Sequence, residues 1–420
     1  MKQLIKKIIP KKVFRLFQPA YHYGMALASA LFYRFPSRNI FVIGITGTKG
    51  KSSTTEIINS ILEAAGYKTA TTNTIRFKIG NDSQKNLYKM SMPGKFFMQN
   101  FLWRAKMAGC THAIIEMTSE GAKQFRHKWI ALDAFIFTNL SPEHIESHGS
   151  YENYKKAKVS IAKLVESSKK ANKVMVVNGD DANAPLFLNL RVKNKILYSI
   201  SQAEPYSTDE KNTYFTFNGV KIEPKLIGIF NIYNCLAAAT LASSIGISNE
   251  IIKKGIENVK GIDGRVEKID AGQDFGVYVD YAHTVDSLEK LYQAFPNKKK
   301  IGVLGNTGGG RDIWKRPEMA KVADTYCSKI ILTNEDPYDE DPKKIVQEMR
   351  VAIVNTPCEI IMDRREAFAK AFSYAEPGDV VLISGKGTDP YIMEANGKKT
   401  PWSDAKVAME ELQKILQKKS

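Results

Sequence analysis

The sequence lacks the cysteine pairs that mark a zinc site or a disulfide framework. Its four cysteines, Cys110, Cys235, Cys327 and Cys358, are far apart, and none stands in a Cys-x-x-Cys motif or a Cys/His cluster. Small disulfide-rich domains and structural zinc sites need closely spaced cysteines. We therefore expect neither feature, and we expect a reducing, cytoplasmic environment.

Hydrophobic runs long enough to cross a membrane are also lacking, since a transmembrane helix needs about 20 apolar residues in a row. The composition, 43% hydrophobic and 25% charged, is that of a soluble globular protein. A chain of 420 residues exceeds one ordinary hydrophobic core. The sequence therefore predicts two or three domains.

Acidic residues are missing from the first 38 residues, which hold eight Lys or Arg and the apolar stretch YHYGMALASALFYRF. This basic amphipathic arm favours a helix lying on a membrane surface, or a helix packed on the protein's own body. A signal peptide, with a cleavage-like Ala28-Ser29-Ala30, is a third interpretation. The net charge of +17 favours anionic partners or reflects a lysine-rich surface. We expect no nucleic acid, because no basic helix carries interleaved stacking aromatics.

Apolar runs alternate with helical patterns from Asn39 onward. Strand candidates include NIFVIGIT, THAIIEMT, DAFIFTN and KVMVVNG, and helix candidates include STTEIINSILEAAG and YENYKKAKVSIAKLVESS. This alternation predicts an α/β fold with a mainly parallel sheet. The stretch TYFTFNGVKIEPKLIG reads as a hairpin, and the alternation restarts after KGIDGRVEKID. We predict an N-terminal arm over residues 1–38, a central domain over 39–262 and a Rossmann-like C-terminal domain over 263–420.

The stretch GITGTKGKSSTT, residues 44–55, joins the first predicted strand to a helix. Free N–H groups at a helix N-terminus converge on one point and attract phosphate. Lys51 adds a positive charge, and Ser52 offers a hydroxyl to a divalent cation. The spacing departs from the common G-x-x-x-x-G-K-[ST] loop, because Ile45 stands at the first glycine position. The loop still predicts a P-loop ATPase-like central domain that binds ATP.

Polar residues end the strands that follow this loop. Glu116 ends one strand, and Thr138-Asn139 end the next, ahead of SPEHIESHG. Ligands bind at the carboxyl ends of neighbouring parallel strands. Glu116 is therefore a candidate metal ligand, with His144 or His148 as another, although each of them also fits an ordinary loop residue.

Ten motifs occur in one order along the chain: GTKGKSSTT, EMTSE, TNLSPEHIESHGSYENYKKAK, VVNGDD, GIFNIYN, GRVE, DYAHTVDSL, GNTGGGRDIWKRPEM, TNEDPYDEDP and GKG. Together they resemble the signature of the Mur ligases, the ATP-dependent amide-forming enzymes of peptidoglycan precursor synthesis, which are related to folylpolyglutamate synthase. The resemblance covers residues 39 to about 410 and is strongest to the members that add the third amino acid. It implies that a substrate carboxylate is activated as an acyl phosphate and then coupled to an amino acid.

The resemblance also implies roles for individual residues. Catalysis would involve Lys51, Glu116, His144, Lys158 and Arg265. Two Mg²⁺ ions would be held by Ser52, Glu116, His144 and a carbamylated Lys158. ATP would contact Gly47, Thr48, Lys49, Gly50, Lys51, Ser52, Ser53, Asn231, Asn234, Arg265, Asp280, Tyr281 and His283. The substrates would contact Thr72, Thr118, Ser119, Arg311, Lys315, Arg316, Glu335, Asp336, Tyr338, Lys386, Thr388 and Asp389.

Several of these residues have an alternative interpretation from sequence. If its motif is disregarded, Lys158 is interpreted as a surface lysine. Asp280 is interpreted as a helix cap. Arg311, Lys315 and Arg316 also fit a basic loop that enters a helix.

The chain departs from the family pattern in three places. Peptidoglycan ligases carry a folded N-terminal domain for the uridine nucleotide, and 38 residues are too few for it, so we expect that domain to be lacking. The family's D-N-P-R, typical of diaminopimelate ligases, is Glu335-Asp336-Pro337-Tyr338 here. The family's G-K-G-H-E ends in Thr388-Asp389, and its E-V-S-S-H ends in Glu120. The loss of the arginine favours lysine over diaminopimelate as the amine, and so does the acidic cluster of Glu335, Asp336 and Asp339. This cluster also fits a capped helix start.

Two further functions stay open on the sequence. One is a ligase for a different carboxylate, such as a folate, a polyglutamate chain or a lipid-linked precursor. The other is a nucleotide-binding partner subunit without ligase activity. We expect a monomer that contacts small-molecule substrates, and peripheral membrane contact through the N-terminal arm.

Overall fold

The computed structural model describes residues 11–210 and 212–419, and the first ten residues of the predicted arm lie outside this range. Two compact units are present. The first comprises the chain up to Ser141, Tyr151–Ile200 and Asn234–Gly255. The second comprises Pro142–Ser150, Ser201–Tyr233 and the chain from Ile256. Within the described ranges, no helix is both long and apolar enough to span a membrane.

The regular elements follow the predicted alternation. The helices are α1 Lys11–Phe32, α2 Lys51–Ala64, α3 Lys95–Met107, α4 Ser119–Lys123, α5 Ile145–His148, α6 Tyr151–Ser167, α7 Ala184–Leu188, α8 Ile229–Ser244, α9 Asn249–Glu257, α10 Val285–Gln293, α11 Lys315–Tyr326, α12 Pro342–Arg350, α13 Arg364–Tyr374 and α14 Asp404–Lys419. Short 3-10 helices cover Pro36–Asn39, Ile200–Ala203 and Ala395–Gly397.

The strands fall into two large sheets and two small ones. In chain order they are β1 Phe41–Thr46, β2 Thr69–Thr72, β3 Arg76–Ile79, β4 Asp82–Lys85, β5 His112–Glu116, β6 Ala134–Phe137, β7 Val174–Asn178, β8 Asn194–Tyr198, β9 Ser207–Thr208, β10 Thr213–Phe217, β11 Val220–Ile222, β12 Glu267–Lys268, β13 Gly276–Val279, β14 Lys300–Leu304, β15 Lys329–Leu332, β16 Cys358–Ile360, β17 Val380–Ile383, β18 Tyr391–Met393 and β19 Lys399–Pro401.

The first unit is built on a sheet of order β4-β3-β2-β5-β1-β6-β7-β8. The strands from β2 to β8 in this order are parallel, and β3 and β4 add an antiparallel edge. All the residues of β5, β6 and β7 are buried. Strands buried on both faces need continuous apolar runs, which is the pattern that the sequence shows. The predicted mainly parallel sheet is confirmed.

The predicted helical arm is present over α1, which packs against α3. Its buried side consists of small residues, Ala26, Ser29 and Ala30. The hydroxyl of Ser29 donates to the carbonyl of Ala26 at 2.8 Å, so this polar group is satisfied within the helix. The interpretation of a helix packed on the protein's own body is therefore confirmed for the described part of the arm.

The second unit contains a sheet of order β12-β13-β17-β14-β15-β16, in which only β12 is antiparallel to its neighbour. The order of β13, β17, β14 and β15 shows the crossovers of a doubly wound α/β sheet. The predicted hairpin is also present, as β10 paired antiparallel with β11. The restart of the alternation after KGIDGRVEKID therefore corresponds to a second α/β sheet.

The four cysteines are free thiols, and three of them, Cys110, Cys235 and Cys327, are buried. Burial raises the pKa of all four thiols, to about 12 for Cys327 and about 11 for the half-buried Cys358. A buried thiol in apolar surroundings packs as a small hydrophobic group. The cysteines thus belong to the packing of the two units.

Candidate active site

The loop between β1 and α2 has the backbone of a phosphate-binding turn. Gly50 caps α2 with a φ of 83°, in the left-handed region that favours glycine. A Cβ atom at Gly50 would lie 2.4 Å from Asn234 Oδ1, and one at Gly47 would lie 1.9 Å from Thr138 Oγ1. Both positions therefore require glycine, and the bare backbone at the start of α2 fits a phosphate group.

Two neighbouring segments hold the loop in place. Asn139, after β6, accepts from Thr48 N at 2.8 Å through its carbonyl and from Lys49 N at 2.9 Å through its side chain. Thr138 Oγ1 donates to the carbonyl of Lys49 at 2.7 Å. The hydroxyls of Thr48 and Tyr154 lie 3.0 Å apart. The end of β6 therefore fixes the loop, which explains why polar residues follow that strand.

Lys51 and Lys158 both reach the same carbonyl oxygen. Lys51 Nζ donates to Gly47 O at 3.0 Å and to Thr48 O at 2.8 Å. Lys158, on α6, donates to Gly47 O at 2.6 Å. Lys158 is only 2% exposed, so its interpretation as a surface lysine is wrong. The buried face of α6, within the first unit, carries this side chain to the phosphate loop.

Ser52 and Glu116 meet because β5 lies beside β1. The parallel register pairs Ile45 with Glu116, which places this carboxylate next to the loop. Ser52 Oγ donates to Glu116 Oε2 at 2.7 Å. Thr74, which sequence reasoning missed, donates to Glu116 from both its N–H and its hydroxyl at 3.0 Å. A hydroxyl beside a carboxylate supplies the oxygen donors that Mg²⁺ prefers, so these residues fit the ion.

The remaining predicted residues of the first unit lie in turns and helix starts. Thr72 ends β2 and donates to Ser91 O at 2.5 Å. Thr118 caps α4 by accepting from Gly121 N at 3.1 Å, and the buried Ser119 begins that helix. Asn234, on α8, accepts from Thr54 Oγ1 at 3.3 Å. Ser53 is buried in the first turn of α2.

His144 belongs to Pro142–Ser150, which groups with the second unit, whereas Ser52, Glu116 and Lys158 belong to the first. Its N–H donates to Asp312 Oδ2 at 3.3 Å. Across residues 11–210 and 212–419, no group of three or more His, Cys, Asp or Glu is arranged to hold a metal. The predicted role of His144 as a ligand of a second Mg²⁺ stays a prediction.

In the second unit, several residues predicted to contact ATP lie at the carboxyl end of β13 and in the turn that follows it. Asp280 accepts from Val266 N at 2.7 Å, and the guanidinium of Arg265 lies 4.7 Å from the ring centroid of Tyr281. Asp389, followed by burial, raises the pKa of Tyr281. Asn231, on α8, donates from its side chain to Ile227 O at 2.8 Å.

His283, in the second unit, makes three hydrogen-bonding contacts through its two ring nitrogens and its carbonyl. Its Nδ1 lies 2.6 Å from Tyr281 O, and its Nε2 lies 3.0 Å from Glu143 Oε1. Lys315 Nζ donates to the carbonyl of His283 at 3.0 Å. Glu143 lies inside the quoted motif TNLSPEHIESHGSYENYKKAK but was not predicted as a site residue, because its partner His283 lies far away along the chain.

Acidic side chains lie together at the carboxyl ends of β15 and β17. The buried Glu335 accepts from Thr307 Oγ1 at 2.7 Å, and its other carboxylate oxygen has no hydrogen-bond partner among the described residues. Burial, and next the charge of Asp336, raise the pKa of Glu335. Lys386 donates to Asp336 at 2.6 Å and lies 3.6 Å from Asp389. Thr388 is buried, and within the described part of the chain its hydroxyl has no hydrogen-bond partner either.

The position of the family arginine is occupied by Tyr338, which has a left-handed φ of 52°. The guanidinium of the exposed Arg311 lies 5.0 Å from the Tyr338 ring centroid, so a cation still borders this turn. Arg316 is fully buried and pairs with Glu340 at 2.8 Å and Glu348 at 2.7 Å. These ion pairs compensate the buried charge of Arg316, and its predicted contact with the substrates stays a prediction.

A second buried arginine, Arg364, was missed from the sequence. It pairs with Asp404 through two hydrogen bonds of 2.8 and 2.7 Å. It also donates to Ser384 O at 2.9 Å and to Asn334 O at 3.3 Å. These two carbonyls precede Gly385 and Glu335, so Arg364 positions both turns of the acidic cluster. The sequence around Arg364 offers one local signal, Asp363, which caps α13 and indicates a helix start but not a buried arginine.

Comparisons with known proteins agree along most of the chain. Residues 45–242 match the family model of the Mur ligase middle domain, and residues 264–387 match that of the Mur ligase, glutamate ligase domain. A UDP-N-acetylmuramoyl-L-alanyl-D-glutamate–2,6-diaminopimelate ligase of Syntrophomonas wolfei is 33% identical over 401 residues, 92% of this chain and 81% of the relative. A UDP-N-acetylmuramyl-tripeptide synthetase of Roseiflexus sp. (strain RS-1) is 33% identical over 420 residues, 93% of this chain and 82% of the relative.

A solved structure also matches over both α/β sheets. It is that of a UDP-N-acetylmuramoyl-L-alanyl-D-glutamate–2,6-diaminopimelate ligase, with a TM-score of 0.60 and 28% identity. The match covers 90% of this chain and 79% of the solved one. The similarity therefore extends from sequence to fold.

Proposed function

Because the chain belongs to the Mur ligase family, we propose that it adds an amino acid to a UDP-N-acetylmuramoyl dipeptide during peptidoglycan precursor synthesis. Members of this family are ATP-dependent, ADP-forming amide ligases. The observation that carries the proposal is the phosphate loop with Lys51, Ser52 and Glu116 at one edge of the parallel sheet. Such an arrangement suits an enzyme that must bring a carboxylate and the phosphates of ATP together, because both of these groups are anions.

The proposed reaction has two steps. An oxygen of the dipeptide carboxylate attacks the γ-phosphorus of ATP, the bond to the β-phosphate oxygen breaks, and ADP leaves. The amino-acid nitrogen then attacks the carbonyl carbon of the acyl phosphate, loses a proton, and expels inorganic phosphate. Lys51 and the loop N–H groups would hold the β- and γ-phosphates of ATP. Bound Mg²⁺, held through Ser52 and Glu116, would neutralise charge on the transferred phosphoryl group.

We propose that Lys158 acts as a carbamate. Its burial and its contact with Gly47 O place the Nζ atom at the loop, beside the ammonium of Lys51. Two ammonium groups that share one acceptor repel each other, and a carbamate on Lys158 would replace this repulsion with attraction. The carbamate would also supply a further oxygen donor for Mg²⁺.

The second substrate is proposed to be lysine, or another amino acid without a second carboxylate. The buried Glu335 has one carboxylate oxygen without a hydrogen-bond partner in residues 11–210 and 212–419, and this oxygen suits an incoming ammonium group. Tyr338 offers no charge to a distal carboxylate, although Arg311 stands close to its ring. Diaminopimelate is the alternative amine, since the named relative in Syntrophomonas wolfei is a diaminopimelate ligase.

The test is ADP release from ATP with UDP-N-acetylmuramoyl-L-alanyl-D-glutamate and a panel of lysine, ornithine, diaminopimelate and alanine. Products would be identified by mass spectrometry, and carboxylate oxygen labelled with ¹⁸O should appear in the released phosphate. Lys51→Ala should lose activity by about a hundredfold or more. A preference for diaminopimelate would refute the lysine assignment alone.

Absence of ADP release with every amino acid would refute the dipeptide as acceptor. Activity with a folate, polyglutamate or lipid-linked carboxylate would then favour a ligase for another acceptor, and inactivity with all of them would favour the partner subunit. The proposal includes a monomeric enzyme, which light scattering would test, and peripheral membrane contact through the N-terminal arm.

A further inference from the structure

The outward side of α1 is apolar along its described length. Between residues 16 and 33 the chain contains no Asp, Glu, Lys or Arg. Phe17, Tyr21, Gly24, Ala28, Leu31 and Phe32 are all exposed and follow one another at spacings of mainly three and four residues. Such spacing places them on one side of a helix. The side that packs inward, with Ala26, Ser29 and Ala30, lies opposite.

The exposed fractions on this side are those of solvent-facing residues. Phe17 is 64% exposed, Tyr21 51%, Leu31 57% and Phe32 73%. Three large rings and a leucine on one short surface would be costly to leave in water, since burying each such side chain is worth about 1.5–3 kcal/mol. The core of the first unit does not use them.

The same surface continues onto α3. The ring of Phe32 lies 6.3 Å from that of Phe96, which is 40% exposed. Further along α3, Trp103 and Met107 are 41% and 66% exposed. Phe96, Trp103 and Met107 follow one another at spacings of seven and four residues, so they share one side of the helix. We call Phe17, Tyr21, Leu31, Phe32, Phe96 and Met107 the apolar patch.

The charged residues on α1 and α3 and in the segments that flank α1 are all positive. The first acidic residue of the whole chain is Glu56, and α3 contains none. Lys2, Lys6, Lys7, Lys11, Lys12 and Arg15 precede the patch in sequence. Arg34 and Arg38 follow α1, and Arg104 and Lys106 on α3 are exposed. An apolar surface on two helices whose charged residues are all positive is complementary to an anionic bilayer, where headgroups meet the cations and acyl chains meet the apolar side chains.

We propose that the apolar patch is the surface by which this protein docks on anionic lipid bilayers, with α1 lying in the plane of the interface. A single apolar insertion gives only marginal membrane binding, and stable attachment takes a second signal such as a basic segment. The chain supplies both signals, the apolar patch and the basic segment that precedes it. Each lysine or arginine near an anionic surface adds about 1 kcal/mol to binding. Docking of this kind would keep the soluble nucleotide reaction next to the membrane.

The test is sedimentation of the full chain, without nucleotide or substrate, with vesicles of phosphatidylcholine alone or mixed with phosphatidylglycerol. We expect the protein to pellet with the mixed vesicles, to do so less at high salt, and to stay largely in solution with phosphatidylcholine alone. Phe32→Glu/Phe96→Glu should lower the partition coefficient on mixed vesicles by about tenfold or more. Replacing Lys2, Lys6 and Lys7 with glutamine should lower it on mixed vesicles only.

The matched control is Val351→Glu/Val354→Glu, which adds the same charges at two valines of the second unit that are 68% and 79% exposed. This variant should pellet like the wild type. Both double variants should keep the thermal unfolding temperature and ADP-forming activity of the wild type, which shows that any loss of vesicle binding is not a loss of folding.

Three results would overturn the proposal: no pelleting of the wild type with mixed vesicles, equal pelleting of Phe32→Glu/Phe96→Glu, or a wild-type dimer in light scattering that this variant dissociates while neither binds vesicles. The last would make the apolar patch an interface between copies of the chain. None of these results bears on the proposed ligase reaction, because vesicle binding is measured without substrates.

Discussion

At the scale of single residues, the meeting of Lys51 and Lys158 at Gly47 O is the feature that most constrains the chemistry. Two ammonium groups that share one acceptor lie close enough to repel each other. A buried ammonium beside a second one is therefore an arrangement that modification of Lys158 would relieve. The charge of the phosphate loop would then depend on a covalent change at one nitrogen atom.

The first prediction concerns Lys158. We expect Lys158→Ala to slow ADP release by about a hundredfold or more, because an anionic donor at the loop would be lost. Lys163→Ala, on the same helix but exposed, should behave as the wild type. With ¹³C-bicarbonate, a carbamate signal in the NMR spectrum should be present in the wild type and Lys163→Ala and absent in Lys158→Ala. A fully active Lys158→Ala enzyme would contradict the carbamate role.

The second prediction concerns Glu335, whose pKa is raised chiefly by burial. The folded protein therefore holds this proton more tightly than the unfolded chain does, and stability falls as pH rises above the unfolded value of about 4.5. Glu335→Gln removes this dependence, so its advantage in thermal unfolding temperature over the wild type should grow from pH 4 to neutral pH. The KM for the amino acid should rise about tenfold.

Glu366→Gln, an exposed change on α13, is the control for both measurements and should leave the KM as it is. A Glu335→Gln enzyme with an unchanged KM would remove Glu335 from the amine site. A parallel pH profile of the two unfolding temperatures would show that Glu335 ionises normally in the folded protein.

At the scale of elements, the ends of α2 offer a matched pair of glycines. Gly50 and Gly66 have nearly equal positive φ angles of 83° and 84°, but a Cβ atom would strike Asn234 only at Gly50. Both Gly→Ala changes should cost about 1–2 kcal/mol of unfolding free energy through backbone strain. Only Gly50→Ala should also raise the KM for ATP, by about tenfold or more. Equal ATP kinetics in the two variants would mean that the loop tolerates a side chain.

The start of α13 offers neighbouring arginines with opposite environments. Arg364→Met would leave Asp404 buried without its partner, and we expect a loss of about 3–5 kcal/mol in unfolding free energy. Arg365, whose side chain is 39% exposed, pairs with Glu410 and Glu411, and Arg365→Met should cost at most about 1 kcal/mol. Urea unfolding of both variants would measure the difference, and equal losses would contradict the role of the buried pair.

The sequence predicted the elements whose signal is local. The apolar runs gave β1, β5, β6 and β7, because strands buried on both faces are continuously apolar. The antiparallel edge, β3 and β4, was missed, since β4 is fully exposed and its residues Asp82–Lys85 are polar. An edge strand of this kind is defined by its hydrogen-bond partner and not by its composition.

The candidate site was predictable where glycines and strand ends mark it, as at Gly50 and Glu116. The burial of Lys158 was not, since three lysines in YENYKKAK carry the same local signal and packing selects one. Arg364, Thr74 and Glu143 were missed for a related reason, because their partners lie far away along the chain. Long-range contacts of this kind follow from the register of the sheets.

At the scale of the whole molecule, alternation of strands and helices predicted two α/β sheets, and these are present. The grouping of Pro142–Ser150 and Ser201–Tyr233 with the second unit has no such signal, because it is set by tertiary packing. The charge of +17 is likewise unevenly placed, with no carboxylate before Glu56. The net charge of the chain therefore says less about its partners than the positions of its acidic residues do.

The burial of the cysteines has a practical consequence for following how the molecule opens. Alkylation needs a thiolate, and a raised pKa together with burial makes the native thiols slow to react. Cys110 and Cys235 lie in the first unit, and Cys327 lies in the second. Iodoacetamide labelling along a urea gradient, read by peptide mass spectrometry, should therefore give separate melting curves for the two units. Rapid native labelling of Cys235 or Cys327 would contradict this; otherwise the chain carries its own reporters of which half comes apart first.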